Sequence, residues 1–410
     1  MRGVVMMSGR ALPGAEATHD RPGQVSFLEL FFDLVFVFAL TRIVARAFED
    51  IVLEPGGSEL PQALPGAGKT LLLLLALYAL WQSTTWTTNR YDPNRTVIQA
   101  VVMVALGAGL VMGVAIPRAF DGYAEAFAFA YVLGQVTRPV LLLLAGIDRQ
   151  RRTLEVRMLV THGVTGALWI AGGIIDGRTL IPLWVLALAL EYAARHLGWP
   201  IPGLGRSTTS RWEVAGEHLA ERYQQFFLIA LGETILVIGL TYSTGPFDLN
   251  HTAAFAVATI TTVLLFRIYF YRAGQILAEA ITRSAEPSTI GRSAADSHLI
   301  MIIGVVTTAL GYEIVIERPF EHAPPTWIAP ILLGPALFIA GRARFEYEVF
   351  GRISTARVGT LIALILPYPA LLKAPPLAAS AVAVVVLAAA ATADARRAWR
   401  LPPEPAKPPF

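Results

Sequence analysis

The feature that most constrains this chain is a succession of apolar segments, each close to the roughly 20 residues an α-helix needs to cross a bilayer. Twelve can be read along its 410 residues: 27–47, 69–89, 96–116, 123–145, 155–175, 179–197, 218–240, 252–272, 297–316, 326–342, 357–372 and 376–393. Clusters of Arg, Asp, Pro and Gly separate them, as in Asn89-Arg90-Tyr91-Asp92-Pro93-Asn94-Arg95 and Asp148-Arg149-Gln150-Arg151-Arg152. The last two segments are short and split by Pro367, Pro369, Pro375 and Pro376, so re-entrant segments, with ten or eleven crossings, are the alternative. Composition agrees: 15% of the residues are charged, where a soluble domain carries about 25%, and the mean hydropathy is +0.55. This excludes a soluble globular enzyme, a disordered chain and a nucleic-acid binder. The chain has no cysteine, so disulfides and thiolate chemistry are excluded as well. The expected fold class is all-α, a polytopic transmembrane helix bundle.

Orientation follows from the loops. Twenty-three of the 33 Lys and Arg residues fall at the N-terminus, in the even-numbered loops and at the C-terminus; seven fall on the other side, and Arg138, Arg222 and Arg267 lie within segments. Both termini are therefore expected in the cytoplasm, with the chain in the cytoplasmic (inner) membrane. Residues 1–26 lack the apolar core of a secretory signal and read as a disordered cytoplasmic lead-in. The Pro-rich tail, 394–410, reads the same way past its last apolar residues. Between them lie a first six-helix half (27–197), a cytoplasmic linker (198–217) and a second six-helix half (218–393).

The two halves carry a weak internal repeat. Segment 1 runs from Glu29 through Phe31-Phe32-Asp33 to Thr41; segment 7 runs from Glu221 through Phe226-Phe227 to Glu233, with the same spacing. Six segments separate the copies, so both would share one orientation, as in transporters built from parallel repeats.

Polar residues inside such segments are costly, about 2.5–3.5 kcal/mol for a charge at the helix centre on insertion scales. They concentrate in two places. Glu29 and Asp33 share one face of segment 1. In segment 7, at 100° per residue, His218, Glu221, Arg222, Gln225, Gly232 and Glu233 form one stripe spanning about 120°. Lipid cannot satisfy that stripe, so it must face protein or water. Glu29, Asp33, His218, Glu221, Arg222 and His298 fall in the cytoplasmic half, whereas Glu233 lies about 18 Å further along its helix than Glu221. The pattern suggests a polar vestibule leading to one deep carboxylate. Arg138 and Arg267 are candidate charge partners for these acids, with ion-paired packing as the plainer reading of the vestibule residues and snorkelling of the two arginines.

Two motifs fail on inspection. Gly66-Ala67-Gly68-Lys69-Thr70 looks like the end of a phosphate-binding loop, but it lacks the earlier glycine and the preceding strand. His218 and Glu221 have metal-ligand spacing, yet a second set of ligands could come only from Glu29, Asp33 or His298. Neither a metal nor a cofactor is expected.

At segments 1 and 7 the sequence resembles the low temperature requirement protein A family. The stretches that carry the likeness are Phe27-Leu28-Glu29-Leu30-Phe31-Phe32-Asp33-Leu34-Val35-Phe36-Val37-Phe38, Glu217-His218-Leu219-Ala220-Glu221-Arg222 and Ile229-Ala230-Leu231-Gly232-Glu233. Asn89-Arg90-Tyr91-Asp92, Ile116-Pro117-Arg118-Ala119-Phe120, Tyr269-Phe270, and His298 with Gly304, Gly311 and Glu313 fit as well, so the likeness covers roughly residues 26–350. It departs at Tyr271, where members often have aspartate, and at Arg267, where an aromatic residue is common. The resemblance implies an integral membrane protein and carries no agreed activity with it.

The residues favour a transporter or channel for a small ion or solute, in contact with the lipid bilayer. A membrane-embedded lipid-modifying enzyme using His218, Glu221 and His298 is the alternative, with a non-catalytic scaffold as the third reading; enzymatic activity is the weaker expectation. Gly107, Gly109 and Gly113 could support close helix packing within the chain or in a homo-oligomer.

Overall fold

A computed structural model describes residues 25–53, 59–147, 149–175, 177–207, 214–271, 273–400, 402 and 404–409. The lead-in expected to be disordered lies, up to residue 24, outside the described residues, as does 208–213 of the linker.

Helices α1 (Phe27–Phe48), α2 (Leu60–Arg90), α3 (Thr96–Ala115), α4 (Ala124–Leu144), α5 (Arg149–Ile175) and α6 (Leu180–Leu197) make the first half. The second comprises α7 (Gly216–Thr244), α8 (Leu249–Phe270), a short α9 (Ala273–Arg283), α10 (Pro287–Glu317), α11 (Pro325–Phe350), α12 (Thr355–Ile365), one-turn α13 (Tyr368–Leu371) and α14 (Pro376–Arg400). Each of the twelve apolar segments is helical, and the fold is the expected all-α polytopic bundle. Ten helices among the described residues are long and apolar enough to cross a membrane. The two segments outside that set are α1, which carries Glu29, Asp33, Arg42 and Arg46, and the shorter α12–α13 stretch.

Local signals set several boundaries. Ser26 caps α1 in a capping box, its side chain accepting from the Glu29 N–H while the Glu29 carboxylate accepts from the Ser26 N–H. Asp248 caps α8 by accepting from the His251 N–H. Gly198 and Gly351 end α6 and α11 in the left-handed conformation. α2 and α10 begin about ten residues before their apolar segments, because a helix continues past the apolar stretch wherever its polar turns still find partners. The phosphate-loop lookalike lies inside α2, with Gly66 against the Asp50 side chain. α9 has no counterpart among the apolar segments. It is amphipathic, with Leu277, Ala280 and Ile281 buried, and it packs on α7 at Gly216.

The neighbours of the first half recur in the second once α9 and α13 are set aside. α1 packs on α2 and α3, α3 on α4, α4 on α5, and α5 on α6; α7 packs on α8 and α10, α10 on α11, α11 on α12, and α12 on α14. The halves meet where α1 packs on both α7 and α10. α10 and α11 approach most closely along two pairs of glycines spaced by seven residues, Gly304 and Gly311 against Gly334 and Gly341. A Cβ at Gly304 would stand 2.8 Å from the Gly334 carbonyl oxygen, and one at Gly341 2.8 Å from the Met301 amide nitrogen. Of the three glycines expected to aid packing, Gly109 and Gly113 seat α3 against Val35 and Phe38 of α1, whereas Gly107 faces open space.

The end of the chain is not loose where it is described. Glu404 pairs with Arg352 and Arg397. Ala406 is buried, and the Lys407 N–H donates to the Val349 carbonyl. Residues 404–409 thus lie against α11 instead of remaining disordered, held by the charges that the Pro-rich composition conceals.

Candidate functional site

The stripe on α7 divides into two unlike sites. Near the start of α7, Arg222 is completely buried and clamps Asp33 with both terminal nitrogens, each 2.7 Å from a different carboxylate oxygen. The Trp81 indole N–H donates to the same carboxylate at 2.9 Å. The Arg222 Nε lies 3.5 Å from Glu29, and His218 Nε2 lies 3.2 Å from Glu29. Asn89 Nδ2 in turn lies 3.1 Å from His218 Nδ1 and donates to the Ala215 carbonyl. Gln225 contacts both Arg222 and Glu221, and the Glu221 carboxylate accepts from the Val25 N–H. α1, α2 and α7 are therefore tied by a bidentate, charge-assisted pair, with Glu29 Oε1 and Arg222 Nε in ionic contact but without a hydrogen bond among the described residues. Six of the expected residues, Glu29, Asp33, His218, Glu221, Arg222 and Gln225, are brought together here.

Above this network comes an apolar layer where a vestibule was expected. Phe32, Phe36, Tyr78, Trp81, Tyr223 and Phe226 are all buried and in ring contact, with Trp81 and Phe226 centroids 4.2 Å apart. The alternation of charge and aromatic residues along α1 and α7 produces this: residues four apart stack above one another, so Phe36 follows Phe32 and Phe226 follows Arg222. The ion pair and the deep acid are separated by rings.

Glu233 lies beyond that layer, seventeen residues into α7 and fully buried. One carboxylate oxygen accepts from the Thr41 hydroxyl at 2.5 Å; the other has no hydrogen-bond partner among the described residues. Thr41 and Glu233 each lie twelve residues past the Glu that opens their segment, and this bond joins α1 to α7. The charged neighbours of Glu233 come from the far part of α10. Glu313, half-buried, interacts electrostatically with Glu233 and with Glu317, itself exposed at the helix end. Thr234, Thr262 and Tyr312 form a hydrogen-bonded chain beside it.

The remaining candidates go elsewhere. His298 bonds Tyr269 at 2.8 Å, stacks on Tyr223 and has no contact with the Glu29–His218 pair. Arg138 pairs with Glu155 at 3.3 Å, both buried, and not with the acids of α1 and α7. Arg267 is exposed, with its guanidinium over the Tyr271 ring, and has no carboxylate partner among the described residues. Both arginines were expected to serve the α1 and α7 acids. Arg138 is turned to Glu155 of α5 and Arg267 lies on the exposed face of α8, so neither reaches them. Among the described residues no three His, Asp or Glu side chains converge on a point where a metal could sit.

Sequence reasoning missed Glu155, Glu191 and Glu348, each buried with its own partners: Arg138 for the first, Tyr131 and Trp169 for the second, Ser293, Ser297 and Arg344 for the third. Glu191 and Glu155 lie inside apolar segments, so the cost of an acid there was the available signal. Glu313 was visible only as part of the family pattern.

Comparison with known proteins places these motifs. The family described as "Bacterial low temperature requirement A protein" has a model that matches residues 24–392. The chain is 31% identical over 322 residues to "Uncharacterized protein RA0937" of Rhizobium meliloti (strain 1021), covering 78% of this chain and 76% of that protein. No solved structure matches.

Proposed function

The chain belongs to the bacterial low temperature requirement A family and is a multi-pass integral membrane protein, and from that premise we propose that it is a transporter or channel for a small ion or solute. The observation that carries this reading is Glu233. It is a fully buried carboxylate with one hydroxyl partner and no cation beside it among the described residues. Structural acids in this same molecule, Asp33 and Glu155, are paired with arginine. An acid kept unpaired at membrane depth carries a cost that transport of a proton or cation would explain. Access is read from the α10 side, along Glu317 and Glu313, because the aromatic layer closes the approach from the Arg222 side. In this reading the protein is built from two parallel six-helix repeats meeting at Thr41 and Glu233, and it sits in the cytoplasmic membrane with both termini inside.

The test is ion and proton flux in liposomes holding the purified protein, wild type beside Glu233→Gln, with thermal unfolding as the folding check. We expect flux in the wild type, loss in Glu233→Gln, and similar unfolding temperatures. A mutant that folds and transports at the wild-type rate removes Glu233 from the path. Absence of flux of any tested ion in folded wild-type protein shifts the reading to organic solutes and then to lipid chemistry.

A further inference from the structure

We propose that a cavity between α2, α4, α5, α6 and α10 is a binding site for a small phosphate-class oxyanion, either free or borne on a lipid headgroup. This site shares no residue with Glu233, so the two proposals stand or fall separately. The cavity measures about 40 Å³ as the space open to the centre of a water molecule. That is room for about three waters, or for one small oxyanion in their place.

Four arginines give its lining a positive character. Arg90, Arg195 and Arg292 are half-buried at the rim, and Arg138 and His162 are buried beneath them. Among the described residues no Asp or Glu lines the cavity. The acids that act on these arginines stand outside the described lining. Glu155 pairs with Arg138, and Asp296 acts on Arg292 from a distance while paired with Arg344. Arg195 donates to the neutral Gln82 carbonyl, lies over the Tyr192 ring and interacts electrostatically with Glu191. Arg292 donates to the Arg195 backbone carbonyl. Bringing guanidinium groups around one space is unfavourable unless an anion shares it, and the planar, multi-donor guanidinium is matched to phosphate oxygens.

Donors at the floor support a ligand directly. His162 is 4% exposed and its Nδ1 has no hydrogen-bond partner among the described residues; the Nε of Arg138, also 4% exposed, has none among them either. The Arg292 Nε at the rim is in the same position. Buried polar atoms are ordinarily satisfied, so two unsatisfied guanidinium N–H donors and an imidazole nitrogen around one small space suit a ligand that accepts. The backbone is shaped to hold the walls. Trp199 has φ of +57°, in the left-handed region that a bulky residue rarely occupies, and this places its indole against the His162 ring, with centroids 5.3 Å apart. Strain of this kind gathers where a local geometry is needed.

The experiment uses the full chain, purified in a neutral detergent and stripped of lipid. Inorganic phosphate is titrated by calorimetry, and the protein before stripping is weighed by native mass spectrometry for retained phospholipid. We expect saturable phosphate binding in the stripped protein, a retained anionic phospholipid in the unstripped protein, or both; the pattern tells the free anion from the headgroup. Arg292→Gln and, separately, His162→Gln should weaken whichever ligand binds by about tenfold to a hundredfold, the loss of one or two hydrogen bonds to a charged group. Exposed Arg267→Gln should leave binding unchanged. Arg138 is left alone, because its removal would strand Glu155. The proposal is overturned if stripped protein binds no phosphate and unstripped protein retains no phospholipid. It is equally overturned if binding persists unweakened in the cavity variant that folds, or weakens as much in Arg267→Gln.

Discussion

Asp33 and Glu233 are both fully buried acids on facing helices, yet their circumstances are opposite. Asp33 meets a guanidinium fork and an indole N–H; Glu233 meets one hydroxyl. Removing Arg222 leaves Asp33 and Glu29 without their cation, and breaking a buried pair from one side costs about 3–5 kcal/mol. Arg222→Met should therefore lower the unfolding temperature sharply. Adding Asp33→Leu and Glu29→Leu should restore part of the loss, since replacing a whole buried ion-pair set by apolar residues is far milder than halving it. A double- and triple-mutant unfolding series checks this, and equal losses in all members would show that the pair does not hold the helices. At Glu233 the expected order reverses, with little change in stability and loss of flux. Which acid would be paired was not legible in the sequence. Both sit in apolar segments beside aromatics, and only the lateral position of Arg222 between α1 and α7 distinguishes them.

Among the elements, the α10–α11 pair has the tightest geometry. The backbones approach so closely at Gly304 and Gly334 that any side chain there meets main-chain atoms, which cannot move aside as a flexible side chain can. In a bilayer, where apolar side chains gain nothing by leaving lipid, close packing of this kind is a main source of helix association. Gly304→Leu should cost about 3 kcal/mol or more, the upper range of overpacking, and should lower the yield of folded protein. Gly107→Leu, on a face with open space, should be tolerated. Size-exclusion profiles and unfolding temperatures of the two variants would separate them, and similar behaviour would count against the crossing as the stabilising contact. The glycines themselves were readable, and Gly304 and Gly311 belong to the family pattern. Their partners on α11 were not, because the sequence does not say which helix lies opposite. α9 was missed for a different reason: eleven residues with one apolar face are too short and too polar to register as a membrane segment.

At the scale of the whole molecule, the recurrence of packing neighbours between the halves suits two parallel repeats, with α1 and α7 as the central helices. Orientation can be tested directly because the chain has no native cysteine. Single cysteines at Lys407 and Lys373 should react with a membrane-impermeant thiol reagent from opposite sides in intact cells, Lys373→Cys from outside and Lys407→Cys only after permeabilisation. The reverse labelling would invert the topology. What the sequence alone determined is the class of molecule. Long apolar segments, scarce charge and the placement of arginine fix a membrane helix bundle, because the backbone's need for internal hydrogen bonds in lipid leaves few other folds for such a chain. What only the tertiary structure decided is which polar groups meet. Helical periodicity puts residues on a face, but the facing helix decides the partner. Thus Arg138 went to Glu155 instead of the α7 acids, and three arginines counted only as loop charge, Arg90, Arg195 and Arg292, came with it to surround one cavity.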